Sequence, residues 1–426
     1  MSGGVVTDHT AETGSAVRSR RRHALEATLG LGVSQMIGWG TTFSPLALYA
    51  KPIQAELGLS REAVFSGIAI MLVVNAALSP RMGRMVDRRG ARAFMMWGSV
   101  AIAGALIVLS QAQGYASWAL AWALIGAAMT LMLTTTALPA LVQAVGNDAR
   151  RAITGLTLVT GFTSTVFLPL NHLLFQSYGW RGAFLVHAAM HLLICLPIHW
   201  RVLRPRPNTL ADTITTRTAA TPATAPPNLL TTQQRRLAFI LIAVWSCMEG
   251  LLTWGLYMQV IDIFGGFGIA TGTAIAIWAL NGPSQAGARA VELAFGSRYS
   301  ILATALGSAV FVTLGFIVLA FAGVTTTTAA ILAIMIGLGH GLFAIARNTL
   351  PLVVFGAREY GAYMGLLTVP QNAANAIAPL LFAAAYSQYG ASAALTVAGA
   401  AASCAFLSVV ALVTFCWRAG IGRHAG

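Results

Sequence analysis

Apolar residues run along this chain in long blocks, and a helix crossing a bilayer needs roughly 20 of them. The pattern predicts spans near 26–49, 62–83, 93–112, 117–144, 152–176 and 182–200. Six more are predicted near 237–259, 271–293, 300–322, 325–356, 360–386 and 391–416. Between the two sets lies the one long polar stretch, residues 201–236. Its TITTRTAATPATAPPNLLTTQQRR has no periodicity and reads as a flexible linker. The chain therefore divides into a disordered tail (1–23), a first six-helix bundle (24–201), a linker (202–235), a second six-helix bundle (236–418) and a short tail (419–426). Arg18, Arg20, Arg21 and Arg22 precede the first span with no small-residue cleavage site after them, which argues against a removable signal peptide.

Charge gives the orientation. Of 26 basic residues, only Lys51, Arg61 and Arg181 fall at the ends opposite the tail arginines. Positive charge gathers on the cytoplasmic side of membrane proteins, so both termini are expected in the cytoplasm, in a bacterial inner membrane. The same bias accounts for the net charge of +14 without nucleic acid, because the arginines sit between apolar spans and form no basic face interleaved with aromatics. With 57% hydrophobic and 9% charged residues, the composition cannot cover a water-soluble surface, and lipid must solvate it. Cys195, Cys247, Cys404 and Cys416 all stand in apolar stretches without CxxC spacing, as small buried hydrophobes do. Thiol capture of a metal or metalloid is the less favoured reading, and no cofactor or metal site is expected.

The two halves repeat. LPALV…ARRAITGLTLV…FLPLNHLLFQSYG over 138–179 is matched by LPLVV…AREYGAYMGLLTV…IAPLLFAAAYSQYG over 350–390. Pro139, Gly155, Pro169 and Tyr178-Gly179 recur in order as Pro351, Gly365, Pro379 and Tyr389-Gly390. Duplicated bundles with a site at their interface are the organisation that alternating access requires.

A polar side chain facing lipid costs several kcal/mol, so those inside spans should face inward. Glu249 lies about 12 residues into its span, near 18 Å deep at about 1.5 Å per residue. A carboxylate isolated there readily takes up a proton, as coupling to a proton gradient demands. His340, between glycines in GLGHGLF, suits a proton relay. Arg347 lies on the same helix stripe and could either fork an anionic substrate or reach toward the cytoplasmic edge. Arg289 and Glu292 are expected to form a gate or structural pair. Trp39, in Gly38-Trp39-Gly40, marks a break or close contact with an aromatic wall. Asn281, Gln371 and Asn375 lead the remaining mid-span amides, along with Gln35, Asn75, Gln285 and Asn372. No Walker loop, GxSxG or HExxH occurs, so no enzyme is expected and energy must come from a gradient.

One loop carries a family resemblance. Gly83-Arg84-Met85-Val86-Asp87-Arg88-Arg89-Gly90-Ala91-Arg92 resembles the G-x-x-x-D-R-x-G-R-R/K signature of the major facilitator superfamily. Gly83, Asp87, Arg88, Gly90 and Arg92 match, and Ala91 replaces the usual basic residue. The resemblance implies an all-α membrane protein of twelve transmembrane helices in two pseudo-symmetric bundles, with this loop as an inter-bundle latch. In the bare chemistry, Gly83 lets helices touch, Gly90 permits a turn at positive φ and Asp87 can hold guanidinium groups. The resemblance also implies that spans one, four, seven and ten line the cavity, which brings Trp39, Thr134, Glu249, Trp254 and His340 toward it. SPRMGRMVDRRGAR and YGWRGAF resemble the branch of monocarboxylate and oxalate–formate porters. GPSQAGARAVE, at 282–292, is more similar to bacterial paralogs near the arsenical exporters. Lys51 lies at the outer end of span one, not at cavity depth, which departs from carboxylate porters with a basic residue there. The expected function is secondary, proton-coupled transport of a small solute by a monomer. The solute is either an organic anion or an exported toxic compound such as an arsenical. A non-transporting receptor or assembly protein is the alternative, but it would lack the loop and the deep ionisable residues.

Overall fold

The computed structural model describes residues 8–204 and 230–419. Most of the linker expected at 202–235, with residues 1–7 and 420–426, lies outside the described residues. Within them, all regular structure is helical.

Eight helices are long and apolar enough to cross a membrane, against twelve spans read from the sequence. The difference lies in how the chain turns. Two of the eight, spanning 149–202 and 357–418, each pass through a left-handed glycine that reverses the chain. These are Gly179 (φ 63°, ψ −179°) and Gly390 (φ 80°, ψ −177°). Residues 8–57 carry the charged tail and break at Phe43, and residues 271–295 break at Leu280, so neither is one continuous apolar helix.

Divided at those turns, the described helices are α1 (Asp8–Thr42 with Ser44–Leu57), α2 (Arg61–Arg89), α3 (Arg92–Ser110), α4 (Tyr115–Met132 with Thr134–Val145), α5 (Ala149–Gly161 with 163–178) and α6 (180–202). After residues 205–229 come α7 (232–266), α8 (Thr271–Ala279 with Asn281–Phe295), α9 (Ile301–Ala322), α10 (Thr326–Phe355), α11 (360–389) and α12 (391–418). Helix α1 starts at Asp8, ahead of the boundary expected near residue 23. Ala11, Glu12, Ala16 and the arginines are good helix formers, and no proline stops them.

The repeat is visible in the backbone. Gly179 and Gly390, matched in the sequence, adopt the same rare conformation. The α4–α5 and α10–α11 turns likewise pass through Gly146 (φ 59°) and Gly356 (φ 83°), each followed by one turn of 3₁₀ helix. Only glycine takes these angles without a Cβ clash.

Helix breaks fall within the long helices, away from their ends. Pro45 clashes with the carbonyl four residues earlier and breaks α1 at Phe43, and Pro283 acts the same way on α8 at Leu280. Leu133 is extended (φ −86°, ψ −157°) and splits α4. In α7, a single π-turn spans Leu252–Leu256, just after Glu249.

Apolar packing fills each half at two levels. The cluster at the arginine-rich end of the first half, around Leu31, Met95 and Leu138, also takes in Tyr360 and Met364 of α11. The halves are thus joined through a shared core at that end. At the opposite end, YGWRGAF serves the first half alone. Arg181 Nη1 and Nη2 donate to the carbonyls of Ser110 and Ala112, its Nε donates to Glu56, and Trp180 Nε1 also donates to Glu56. This ties α1, α3 and α6 together where the chain would otherwise fray.

Candidate functional site

The central cavity has two adjoining lobes of about 260 and 440 Å³, the first lined by both halves and the second by the second half alone. Trp39, Asn75, Thr134 and Arg347 line the first, and Tyr257, Gln285, Arg289 and His340 line the second. Trp254, Gln371 and Asn375 face both. An aromatic row closes one wall across the halves. The Trp39 and Phe43 rings lie 5.2 Å apart, and those of Phe43 and Trp254 5.0 Å apart. Trp39 reaches the cavity because Gly38 and Gly40 pack flat on Leu133 and Phe167, where a Cβ would come within 2.3 and 2.1 Å. The contact expected at Gly38-Trp39-Gly40 is present, and the break falls three residues later.

Glu249 and His340 come together. The His340 Nε2 to Glu249 Oε2 distance is 3.1 Å, with Glu249 fully buried and His340 6% exposed. The approach has ion-pair distance but misses hydrogen-bond angles, so neither carboxylate oxygen has a hydrogen-bond donor. Glu249 does not line the cavity; His340 does. The histidine therefore stands between a sealed carboxylate and the open lobe. Helix α10 can hold it there because Gly337 and Gly341 press on α8, where a Cβ would meet the carbonyls of Asn281 and Gln285 at 2.6 and 2.7 Å.

Two guanidinium groups face the cavity without a carboxylate. Arg347 donates to Asn348 Oδ1 (3.1 Å) and to Gln371 Oε1 (2.5 Å). Arg289 donates to Gln285 Oε1 (3.1 Å) and to the Thr157 carbonyl across the halves (3.3 Å). Both Nε atoms are buried without an acceptor. Among the described residues, no Asp or Glu lines either lobe. Asn375, its amide oriented to satisfy both neighbours, donates to the Gln371 carbonyl at 3.2 Å and accepts from Trp254 Nε1 at 3.3 Å. Two cations in a recess of low dielectric attract an anion strongly, because each neutral amide partner leaves the positive charge uncompensated.

Other expected site residues stand elsewhere. Asn281 is fully buried outside the cavity lining. It donates to the Ala333 carbonyl and accepts from Gln285 and Tyr257, which stitches the broken α8 to α7 and α10. Arg289 and Glu292, expected as a pair, do not pair. One helical turn points Arg289 into the cavity, while Glu292 (2% exposed) accepts from Arg150, Tyr299 and Thr304 at 3.1, 2.6 and 3.0 Å. Burial, and then the hydrogen bond to Glu292, pushes the Tyr299 phenol up to about 12, so it remains a donor. Arg150 belongs to α5 in the first half, so Glu292 anchors a bridge between the halves. Removing one partner of a buried ion pair costs about 3–5 kcal/mol, and Arg150 is partly exposed, which places Glu292→Gln near the lower figure. Thermal unfolding in detergent should register that loss, and an unchanged midpoint would deny the bridge any structural weight.

The loop carrying Gly83, Asp87, Arg88, Gly90 and Arg92 forms the other bridge. Asp87 is held by backbone amides, not by guanidinium groups as expected. Its oxygens accept from the Gly361 and Ala362 N–H groups, at 2.9 and 2.7 Å, at the start of α11. A carboxylate at a helix N-terminus is favoured by the unpaired amides and the helix dipole. Gly83 makes the approach possible, since a Cβ there would sit 2.0 Å from the Gly361 carbonyl oxygen. Further along the seam Asn372 donates to Asn75 at 2.9 Å. Gly90 takes φ 78° at the end of α2, Arg88 is exposed, and Arg92 Nε is buried without an acceptor. The contacts named between the halves thus run from the arginine-rich end to mid-depth.

A polar seam without a signature in the sequence runs inside the first half. His187, His191, Cys195 and His199 occupy one stripe of α6 at four-residue spacing, all fully buried. His199 bridges Ser34 and Ser99 at 2.6 and 2.9 Å, and His191 meets Thr41 at 2.9 Å. The spacing was legible, but nothing in it distinguished a helix-to-helix seam from a site. The hydroxyl partners on α1 and α3 settle it as the former.

Comparisons with known proteins place the fold. No curated protein matches by sequence. Among solved structures, the human organic anion transporter MFSD10 (TETRAN) is similar in fold, with a TM-score of 0.64 at 14% identity, covering 92% of this chain and 99% of that one. The sequence pattern of the Major Facilitator Superfamily matches residues 30–368. A multi-pass helical membrane protein of two pseudo-symmetric halves, this chain belongs to the Major Facilitator Superfamily.

Proposed function

We propose that this protein is a proton-coupled secondary transporter of a small organic anion, working by alternating access in the bacterial inner membrane with both termini cytoplasmic. The observation that carries the reading is the pair of cavity-facing guanidinium groups, Arg289 and Arg347, in a lining without Asp or Glu. An anion entering the cavity replaces amide acceptors on these arginines with charge-assisted hydrogen bonds. None of the four cysteines lines either lobe, which disfavours an arsenical held by thiols. The similarity in fold to an organic anion transporter points the same way.

Coupling is assigned to Glu249 and His340. A proton arriving at His340 from the cavity, or leaving Glu249 toward it, makes or breaks their ion pair. The arrangement of α7 and α10 is thereby linked to protonation. With the arginine-rich side in the cytoplasm, the two inter-half bridges close the cavity on that side and the aromatic row lies on the path from the other. Rocking of the bundles would exchange these contacts. The chain acts as a monomer, since each copy holds a whole cavity.

Full-length protein in proteoliposomes tests this with radiolabelled mono- and dicarboxylates, a neutral sugar and an organic cation. A carboxylate should accumulate down an imposed pH gradient, and a protonophore should abolish the accumulation. Arg347→Gln removes a charged donor worth about 1.5–3 kcal/mol, so half-saturation should rise roughly 10- to 100-fold. Transport of the cation alone, or indifference to Arg347→Gln, would overturn the anion assignment. Absence of any flux would favour a receptor.

A further inference from the structure

Away from the cavity, the back of α2 leaves a second recess of about 560 Å³ between α2, α3 and α4. Its origin is mechanical. Toward one end, α2 touches α4 through Gly67 on Trp122 and through Met71 on Gly126. Toward the arginine-rich end, Gly83 draws α2 against α11 instead. A helix pinned to different neighbours at its two ends splays from the third, and the recess is the gap that remains. Leu78, Met82 and Met85 of α2 wall it, facing Gly104 of α3 and Leu124 and Leu131 of α4. The lining is almost wholly apolar, with one charge, the exposed Arg81, and no acidic residue. Arg84, Arg88 and Arg89 follow on the exposed side of the same helix end. The nearby Asp87 is already committed to the α11 amides.

A groove of this kind inside a bilayer is filled by an acyl chain, and the charge at its edge decides which headgroup sits above. We propose that this recess is a binding site for an anionic phospholipid of the leaflet on the arginine-rich side. One acyl chain lies along Leu78, Met82, Leu124 and Leu131, and the phosphodiester is held by Arg81 with support from the exposed arginines beyond it. The chain contributes burial that any phospholipid could supply, and Arg81 supplies the selectivity, because a basic side chain near the headgroup plane favours net negative lipid. A zwitterionic lipid brings its own ammonium to the same arginine and gains less.

The test uses full-length protein in dodecyl maltoside, titrated with dioleoyl phosphatidylglycerol or dioleoyl phosphatidylcholine and read by native mass spectrometry. Phosphatidylglycerol should be retained over phosphatidylcholine by about five-fold. Gly104→Leu should remove the retained lipid. An added Cβ at Gly104 meets nothing within 4 Å, so the larger side chain fills the groove without displacing protein. Arg81→Gln, an exposed change, should fold normally and bring the two lipids to equal retention. Equal retention by the unaltered protein, or a Gly104→Leu protein that still holds phosphatidylglycerol, would overturn the proposal. Should Gly104→Leu fold poorly, Arg81→Gln alone decides, since an undiminished preference there also counts against it.

Discussion

Glu249→Gln is expected to abolish uphill accumulation of substrate while leaving exchange of labelled for unlabelled substrate at its original rate. The substitution keeps the shape and volume of a fully buried side chain 3.1 Å from His340, but glutamine cannot take up or release a proton. Because Glu249 does not line the cavity, the binding groups on Arg289 and Arg347 remain in place. Driving force is lost and binding is not. Parallel measurements of accumulation under a pH gradient and of counterflow without one separate the two effects. Normal accumulation by this variant at every pH would take Glu249 out of the mechanism. Loss of both activities with an intact fold would instead move it into substrate binding.

Gly83→Leu is expected to open the cavity toward the arginine-rich side. Its Cβ would lie 2.0 Å from the Gly361 carbonyl oxygen, and Gly361 in turn leaves no room, since a Cβ there would be 2.8 Å from the Gly83 carbonyl oxygen. Backbone is met on both sides of the seam, so no side-chain rotation relieves the clash. Helices α2 and α11 must separate, and with them the Asp87 hydrogen bonds to Gly361 and Ala362. Overpacking of this kind costs about 1–3 kcal/mol, charged against the closed arrangement only, so the balance between the two arrangements moves roughly 5- to 100-fold. The readout is alkylation, from the arginine-rich side, of a single cysteine placed at Gln371 with Cys195, Cys247, Cys404 and Cys416 replaced. The rate should rise by that factor. Gly287→Leu, where an added Cβ meets nothing within 4 Å, should leave it unchanged, and equal rates in all three proteins would refute the seam as a gate.

Much of this was legible in one dimension. A chain with 57% hydrophobic residues in bilayer-length blocks can satisfy its backbone only as membrane helices. The duplicated Tyr-Gly pairs foretold two turns of matching backbone conformation. Asp87 was legible as a tether, because an acid inside an arginine run serves no topological end, although its partner was not. That partner is a pair of backbone amides, which have no letter in a sequence. Arg289 and Glu292 show the opposite failure. Three residues apart on a helix they could meet, but Thr157 and Arg150, the cross-half partners that help draw them apart, become neighbours only when α5 packs against α8.

The sequence by itself determined the membrane setting, the duplication and the few ionisable groups available inside the spans. Each of these follows from local composition or from spacing along one helix, where burial and hydrogen-bond demand act on every residue alike. Tertiary structure alone decided which of those groups share a cavity and which are sealed behind it. Glu249 and His340 lie 91 positions apart, and only glycine-mediated contact between α10 and α8 brings the histidine to the cavity wall with the carboxylate behind it. Packing of this sort is a property of facing surfaces, and those surfaces exist only once the helices have chosen their neighbours.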